Sequence, residues 1–242
     1  MRADMSVARL LSVTEMLDAP RIFERSVKVS AGSPSTDRGM VTFDKRALYP
    51  GPRTTLAETC AALGCPDTSA LDPLLRQAHA IYFGVDGDIG KCYLEFTHKT
   101  APLPGLVFLA IKWRGTEVKV NHYTTIAHQP HSTKEALIDT LIPAGPVHEA
   151  MHACLPVARD GTPGNNAVVL HVTEVGTRRA SVDINIADVK LTMADAAPLL
   201  SPLYNAYGID PDLSDARFGH LAAGTDRNGA PFATFYFGAT QI

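Results

Sequence analysis

The chain has 242 residues, 45% hydrophobic, 19% charged and 7% aromatic, a composition that fits a globular protein and excludes a disordered tail or a collagen-like fibre. Its 22 Lys and Arg against 25 Asp and Glu give a net charge of −3. That balance leaves no basic footprint for nucleic acid, and no apolar run approaches the roughly 20 residues that cross a bilayer as a helix.

Residues 5–19 carry apolar side chains at helical spacing (Val7, Leu10, Leu11, Met16, Leu17) until Pro20 stops them. The opening Met1-Arg2-Ala3-Asp4-Met5 places an acid early and lacks the shape of a signal peptide. Two period-2 runs follow, 21–30 and 39–44, joined by a polar, turn-rich loop. Helical patterns return at 53–63 and 70–80. Strands at 80–85 and 90–97 then flank Asp86-Gly87-Asp88, and strands at 106–114 and 117–127 flank Gly115-Thr116. Both junctions are tight hairpin signals, because Gly and Asp tolerate positive φ.

Helices are expected at 133–142 and 146–157, and strands at 167–174 and 179–186 around Val175-Gly176-Thr177-Arg178. A helix at 192–207 has Thr192 as N-cap and Gly208 as C-cap. Strands at 218–224 and 232–238 close the chain around Asp226-Arg227-Asn228-Gly229. The sum is ten strands in five hairpins, most separated by helices. Single strands alternating with helices would make a parallel sheet; consecutive hairpins make an antiparallel one, and ten strands usually curl or close. The expected fold is therefore α+β, a closed ten-stranded antiparallel barrel with helices outside. No linker or shift in composition divides it, so residues 1–242 are read as a single domain.

Separating the strand faces by period 2 gives apolar sets that belong under the helices, such as Cys92/Leu94/Phe96, Val118/Val120/His122 and Ala233/Phe235/Phe237. The opposite faces hold Lys91, Tyr93, Glu95; Lys119, Asn121, Tyr123; Ser181, Asp183, Asn185; Thr234, Tyr236; and Glu24, Ser26, Lys28. A wet barrel lumen collects such side chains into one chamber, whereas an open sheet would turn them to water. Lys28, Lys91, Lys112, Arg114 and Lys119 with Tyr93, Tyr123 and Tyr236 suit a diphosphate: cations neutralise it, hydroxyls bond its oxygens and rings shield a carbocation.

Three further patterns were weighed against this set. His148-Glu149-Ala150-Met151-His152 reads HExxH, the helix of zinc hydrolases, but its helix is bounded closely by Pro146 and Pro156 and spacing offers no third ligand. Residues 84–90 are glycine-rich yet join two strands and open no helix, so they read as a turn. Cys60, Cys65, Cys92 and Cys154 form no CxxC pair and read as reduced thiols of a cytoplasmic protein.

In layout, and most closely along 178–211 and the hairpin after it (RRASVDINIADVKLTMADAAPLLSPLYNAYGIDP, then FGHLAAGTDRNGAPFATFYFG), the chain resembles the ABBA or prenyltransferase-barrel family of aromatic prenyltransferases. The resemblance implies transfer of a prenyl group from a prenyl diphosphate to an aromatic acceptor, with Mg²⁺ used by some members and no metal by others. Lys28, Lys91, Lys112 and Lys119 would then hold the diphosphate with Tyr93, Asn121, Tyr123, Asn185 and Tyr236 around it. Glu95 or Asp183 would orient the acceptor or take its proton. A non-catalytic barrel that binds a small molecule or assists assembly, and a zinc hydrolase through His148 and His152, are the alternatives.

Overall fold

A computed structural model describes residues 5–30, 34–48, 51–158, 168–212, 214–226 and 228–242. The first four residues, Ala167 of the expected strand 167–174 and Arg227 of the last turn lie outside them.

The order is α1 (Val7–Glu15), β1 (Arg21–Val29), β2 (Arg38–Asp44), α2 (Pro52–Ala62), β3 (Ala80–Asp86), β4 (Ile89–Glu95), β5 (Leu106–Arg114), β6 (Glu117–Thr125), α3 (His131–Leu141), α4 (Pro146–Val157), β7 (Val168–Glu174), β8 (Ala180–Asn185), α5 (Met193–Tyr207), β9 (Phe218–Thr225) and β10 (Pro231–Gln241). Each strand pairs antiparallel with its chain neighbours, and β1 pairs with β10, so the sheet closes into a ten-stranded barrel. Closure leaves no sheet edge unpaired.

Turn chemistry sets the hairpins. Gly87 and Gly115 sit at φ +58° and +59°, in two-residue loops that only a residue tolerant of the left-handed region closes without strain. In the β9–β10 turn, the Asp226 carboxylate accepts from the backbone N–H of Asn228 and Ala230 at 2.8 and 2.9 Å. At α5 the expected caps are present: Thr192 Oγ1 accepts from Asp195 N, the Asp195 carboxylate accepts from Thr192 N, and Gly208 ends the helix at φ +61°.

One expected element does not form. The 70–80 pattern yields a short 3-10 turn at Asp72–Leu74 rather than a helix. Pro73 has no N–H to give, and the backbone bonds here run three residues back (Leu74 to Leu71, Gln77 to Leu74, Ala78 to Leu75). Lys45 Nζ donates to the carbonyls of Leu75 and Arg76 and so holds this segment to the barrel.

The core lies between the barrel wall and the helices. One apolar cluster packs α1 and α2 over β2–β5 (Phe43, Phe83, Leu94, Ile111, Trp113); another packs α3–α5 over β8–β10 (Val182, Ile184, Leu221, Phe235). Cys60, Cys92 and Cys154 are buried and all four cysteines are free thiols. No helix among the described residues is long and apolar enough to cross a membrane.

Candidate functional site

With apolar side chains turned outward, the alternate residues of the ten strands line a chamber of about 320 Å³ inside the barrel. Antiparallel order gives it two unlike ends. The tight turns gather at one end and the helical connections leave from the other, so charge near a turn collects at a single end.

The turn end is cationic. Asp86, at the close of β3, takes ion pairs from Lys28 of β1 at 3.8 Å, Lys91 of β4 at 3.4 Å and Arg38 of β2. Arg38 is nearly inaccessible (side chain 2% exposed) and its Nε donates to Ser26 Oγ. Arg179 reaches the buried Glu174 at 3.5 Å, and Lys112 lies over the Tyr123 ring, 5.5 Å from its centroid. Arg114 and Lys119 pair locally with Asp88 and Glu117. With Asp226 nearby, seven cations face five carboxylates. Excess charge registers in the ammonium groups. Burial, then Arg38 and Arg179, pulls Lys28 down to about 8; burial and neighbouring cations pull Lys91 and Lys112 well below the usual lysine range.

A belt of rings lines the middle. Tyr82, Tyr93, Phe108 and Tyr123 meet edge to face at centroid distances of 5.6–6.5 Å. Burial pushes the Tyr82, Tyr93, Tyr123 and Tyr236 phenols above their ordinary range, so all four stay neutral donors. The Asn121 side-chain oxygen is buried at the chamber wall without a hydrogen-bond partner among the described residues.

Beside the ring belt, His220 of β9 stands between two acids. Its Nδ1 donates to Asp183 Oδ1 at 2.8 Å, its Nε2 lies 3.6 Å from Glu24 Oε2, and its ring stacks on Tyr236 at 3.8 Å. Burial alone would lower its pKa, but Asp183 and Glu24 outweigh that and hold it at about 10. The group is therefore an imidazolium at neutral pH, held between Asp183 and Glu24.

Of the residues singled out from sequence, Lys28, Lys91, Tyr93, Lys112, Asn121, Tyr123, Asp183, Asn185 and Tyr236 line the chamber. Lys119 does not: it borders a shallower hollow outside the turn end with Arg114, Glu117 and Glu174. Nor does Glu95, which sits behind Tyr82 and accepts its hydroxyl proton in a 2.6 Å hydrogen bond. Both side chains point to the lumen side of their strands, but each strand outruns the chamber. Residues that sequence reasoning left out of the site are Arg38, Tyr82, Asp86, Phe108, Arg179 and His220, with Glu24 noted only as a face residue.

His148 and His152 lie on α4, whose buried residues Val147, Ala150, Met151 and Cys154 pack on the outer face of the barrel. None of α4 reaches the chamber.

No protein-family profile matches this chain, and no curated protein sequence is similar to it. Solved structures are. NotF prenyltransferase aligns over 90% of this chain and 80% of its own at 12% identity and a TM-score of 0.57. NotF in complex with brevianamide F and DMSPP aligns over the same shares at 11% identity and 0.52. AnaPT from Neosartorya fischeri covers 90% and 78% at 10% identity and 0.51. At such identity the likeness is one of architecture, and the architecture of this chain is that of the ABBA-type prenyltransferase barrel.

Proposed function

We propose that the barrel is a transferase that moves a short prenyl group from its diphosphate to an aromatic acceptor inside the lumen. The observation that carries this reading is what one chamber holds: an under-neutralised cationic end, a belt of rings, and beside those rings a carboxylate–imidazolium–carboxylate set.

The diphosphate would sit among Lys28, Arg38, Lys91, Lys112 and Arg179. Charge-assisted hydrogen bonds from these groups hold its oxygens and stabilise it as the leaving group. When the allylic carbon–oxygen bond breaks, both bonding electrons leave with the diphosphate. The carbocation faces Tyr93, Phe108, Tyr123 and Tyr236, where a desolvated cation–π contact contributes about 2 kcal/mol. An electron-rich carbon or nitrogen of the acceptor attacks it, and the proton it loses passes to a carboxylate. Asp183 or Glu24 would take it, and His220, already protonated, would orient them. Glu95 acts at one remove, through the Tyr82 hydroxyl. Mg²⁺ fits poorly, because Asp86 is engaged by three cations and the lysines already supply the countercharge a metal would bring.

A chamber of about 320 Å³ is at the low end of the roughly 300–1,000 Å³ usual for ligand sites. That favours dimethylallyl diphosphate over farnesyl diphosphate. The test is calorimetric titration with dimethylallyl, geranyl and farnesyl diphosphates, followed by mass spectrometry of mixtures with indole-bearing acceptors, brevianamide F among them. Dimethylallyl diphosphate should bind most tightly and, with a suitable acceptor, yield a product heavier by one prenyl group in the presence of EDTA. Binding without a product in any mixture would favour the non-catalytic barrel, and no binding at all would refute the diphosphate site.

A further inference from the structure

Outside the barrel, α3 and α4 bring together three groups that the lumen chemistry does not use. His148 and His152 are four residues apart on α4, so their rings lie one helical turn apart on the same face, with centroids 4.3 Å apart. Both Nε2 atoms lie 2.8 Å from the same carboxylate oxygen, Oδ1 of Asp139 on α3. One ligand atom from each residue falls within 4.8 Å of the others. Bond lengths of 2.0–2.2 Å to nitrogen and oxygen place the donors of a tetrahedral zinc ion roughly 3.3 Å apart. The three atoms need only small rotations to open around an ion.

We infer that Asp139, His148 and His152 form a binding site for one divalent transition-metal ion of the zinc or nickel type, clasping α3 to α4. Two imidazoles and a carboxylate are ligands of that hardness, and they leave further positions to water. The imidazole side chains are 24% and 30% exposed and that of Asp139 57%, so an ion and its waters have free access. This is not the hydrolase that HExxH suggests. Glu149 is one residue past His148, about 100° round the helix, exposed and outside the three-group set, and the lumen chamber does not reach the site. The ion would be a cross-link between two helices of the outer layer, through ligands 9 and 13 residues apart in the chain, and independent of any ligand in the lumen.

The rival is a bare hydrogen-bonded clasp in which Asp139 accepts from two N–H groups. Titration of the full chain with Zn²⁺ and Ni²⁺ separates them. The expected result is one ion per chain, with a rise in melting temperature. Loss of a second-shell group alone costs about 10–100-fold in metal affinity, so His148→Ala and Asp139→Asn should each weaken binding at least about tenfold. Glu149→Gln should leave it unchanged. Because a substitution here could also loosen the two helices, the unaltered protein provides a second measurement. Zn²⁺ should protect His148 and His152 from carbethoxylation while the exposed His98 and His128 still react. Absence of binding at about 100 times the low-micromolar range, binding that survives both substitutions, or no protection of the pair would each overturn the site.

Discussion

Replacing Lys28 by Met tests whether the cationic end is built for a ligand rather than for stability. Lys28 is held near 8 in the folded barrel and stands near 10.5 in the unfolded chain. Between those values the unfolded chain keeps a proton that the folded one has released, so stability rises with pH from about 8 to 10.5. Below pH 8 the full cost of burying the charge is present. The span corresponds to about 3 kcal/mol, and because the side chain is 25% exposed and 3.8 Å from Asp86, roughly half of that is expected to survive screening. Met keeps the stem over the Phe232 ring, which lies 5.4 Å from the ammonium, and Asp86 keeps Arg38 and Lys91. Lys28→Met should therefore stabilise the free protein by about 1–2 kcal/mol at pH 7, some 2–8 °C in melting temperature for a domain of this size, and by nothing near pH 10.5. Urea unfolding at both pH values measures it. In the same variant, affinity for dimethylallyl diphosphate should fall at least tenfold. A destabilised variant would make Lys28 a structural cation, and a gain that ignores pH would mean that its buried charge is not the cost; either would refute the reasoning.

Other substitutions probe the acid–imidazole set and the wall. Asp183→Asn keeps a hydrogen-bond acceptor for His220 but removes the proton acceptor; single-turnover transfer should slow by about 10²-fold or more while the diphosphate dissociation constant stays put. His220→Gln leaves Asp183 and Glu24 buried without their cation and should cost about 3 kcal/mol at pH 7. Since the folded imidazole is raised to about 10 from 6.5, its contribution is complete below pH 6.5 and is lost as pH rises through 10. The deficit of the variant in urea unfolding should therefore shrink at high pH. Gly90→Ala would drive a methyl group into the Trp113 ring and the Met5 side chain, and that ring donates Nε1–H to Leu63 O at 3.1 Å. Overpacking of that kind costs about 1–3 kcal/mol, and the fluorescence of the single tryptophan should report the displaced ring.

The barrel was legible because its signals are local and repeated. Period-2 alternation separates wall from lumen, and a glycine or aspartate at each turn fixes which strands are neighbours. In β4, β6, β8 and β10 the assigned faces are the observed ones, down to Lys91 and Tyr93 beside Cys92 and Leu94. Alternation, however, gives face and not depth. Lys119 and Glu95 are on the lumen side, yet they lie past the ends of the chamber, and only the tilt and stagger of the closed sheet determine that. The residues missed fail for separate reasons. β3 (AIYFGVD) and β5 (LVFLAIKWR) are apolar on both faces, so Tyr82 and Phe108 gave no contrast to read. Arg38 and Arg179 flank turns, where a cation ordinarily reaches water, and Asp86 serves as the turn residue it resembles. His220 shares its face with Ala222, small enough to be silent.

What joins these residues is long-range. Glu24, Asp183 and His220 come from β1, β8 and β9, and Lys28, Asp86, Lys91 and Arg179 from β1, β3, β4 and the β7–β8 turn. Only closure of β1 on β10 brings the first and last thirds of the chain to one chamber. The same closure buries these charges in a low-dielectric enclosure, where desolvation first and neighbouring cations second depress three lysines, while Asp183 and Glu24 raise one histidine. A cluster so arranged is costly to the empty fold. Under the proposed function an anionic diphosphate among these lysines would offset that cost, which is why perturbed groups gathered in one cavity point to a binding site.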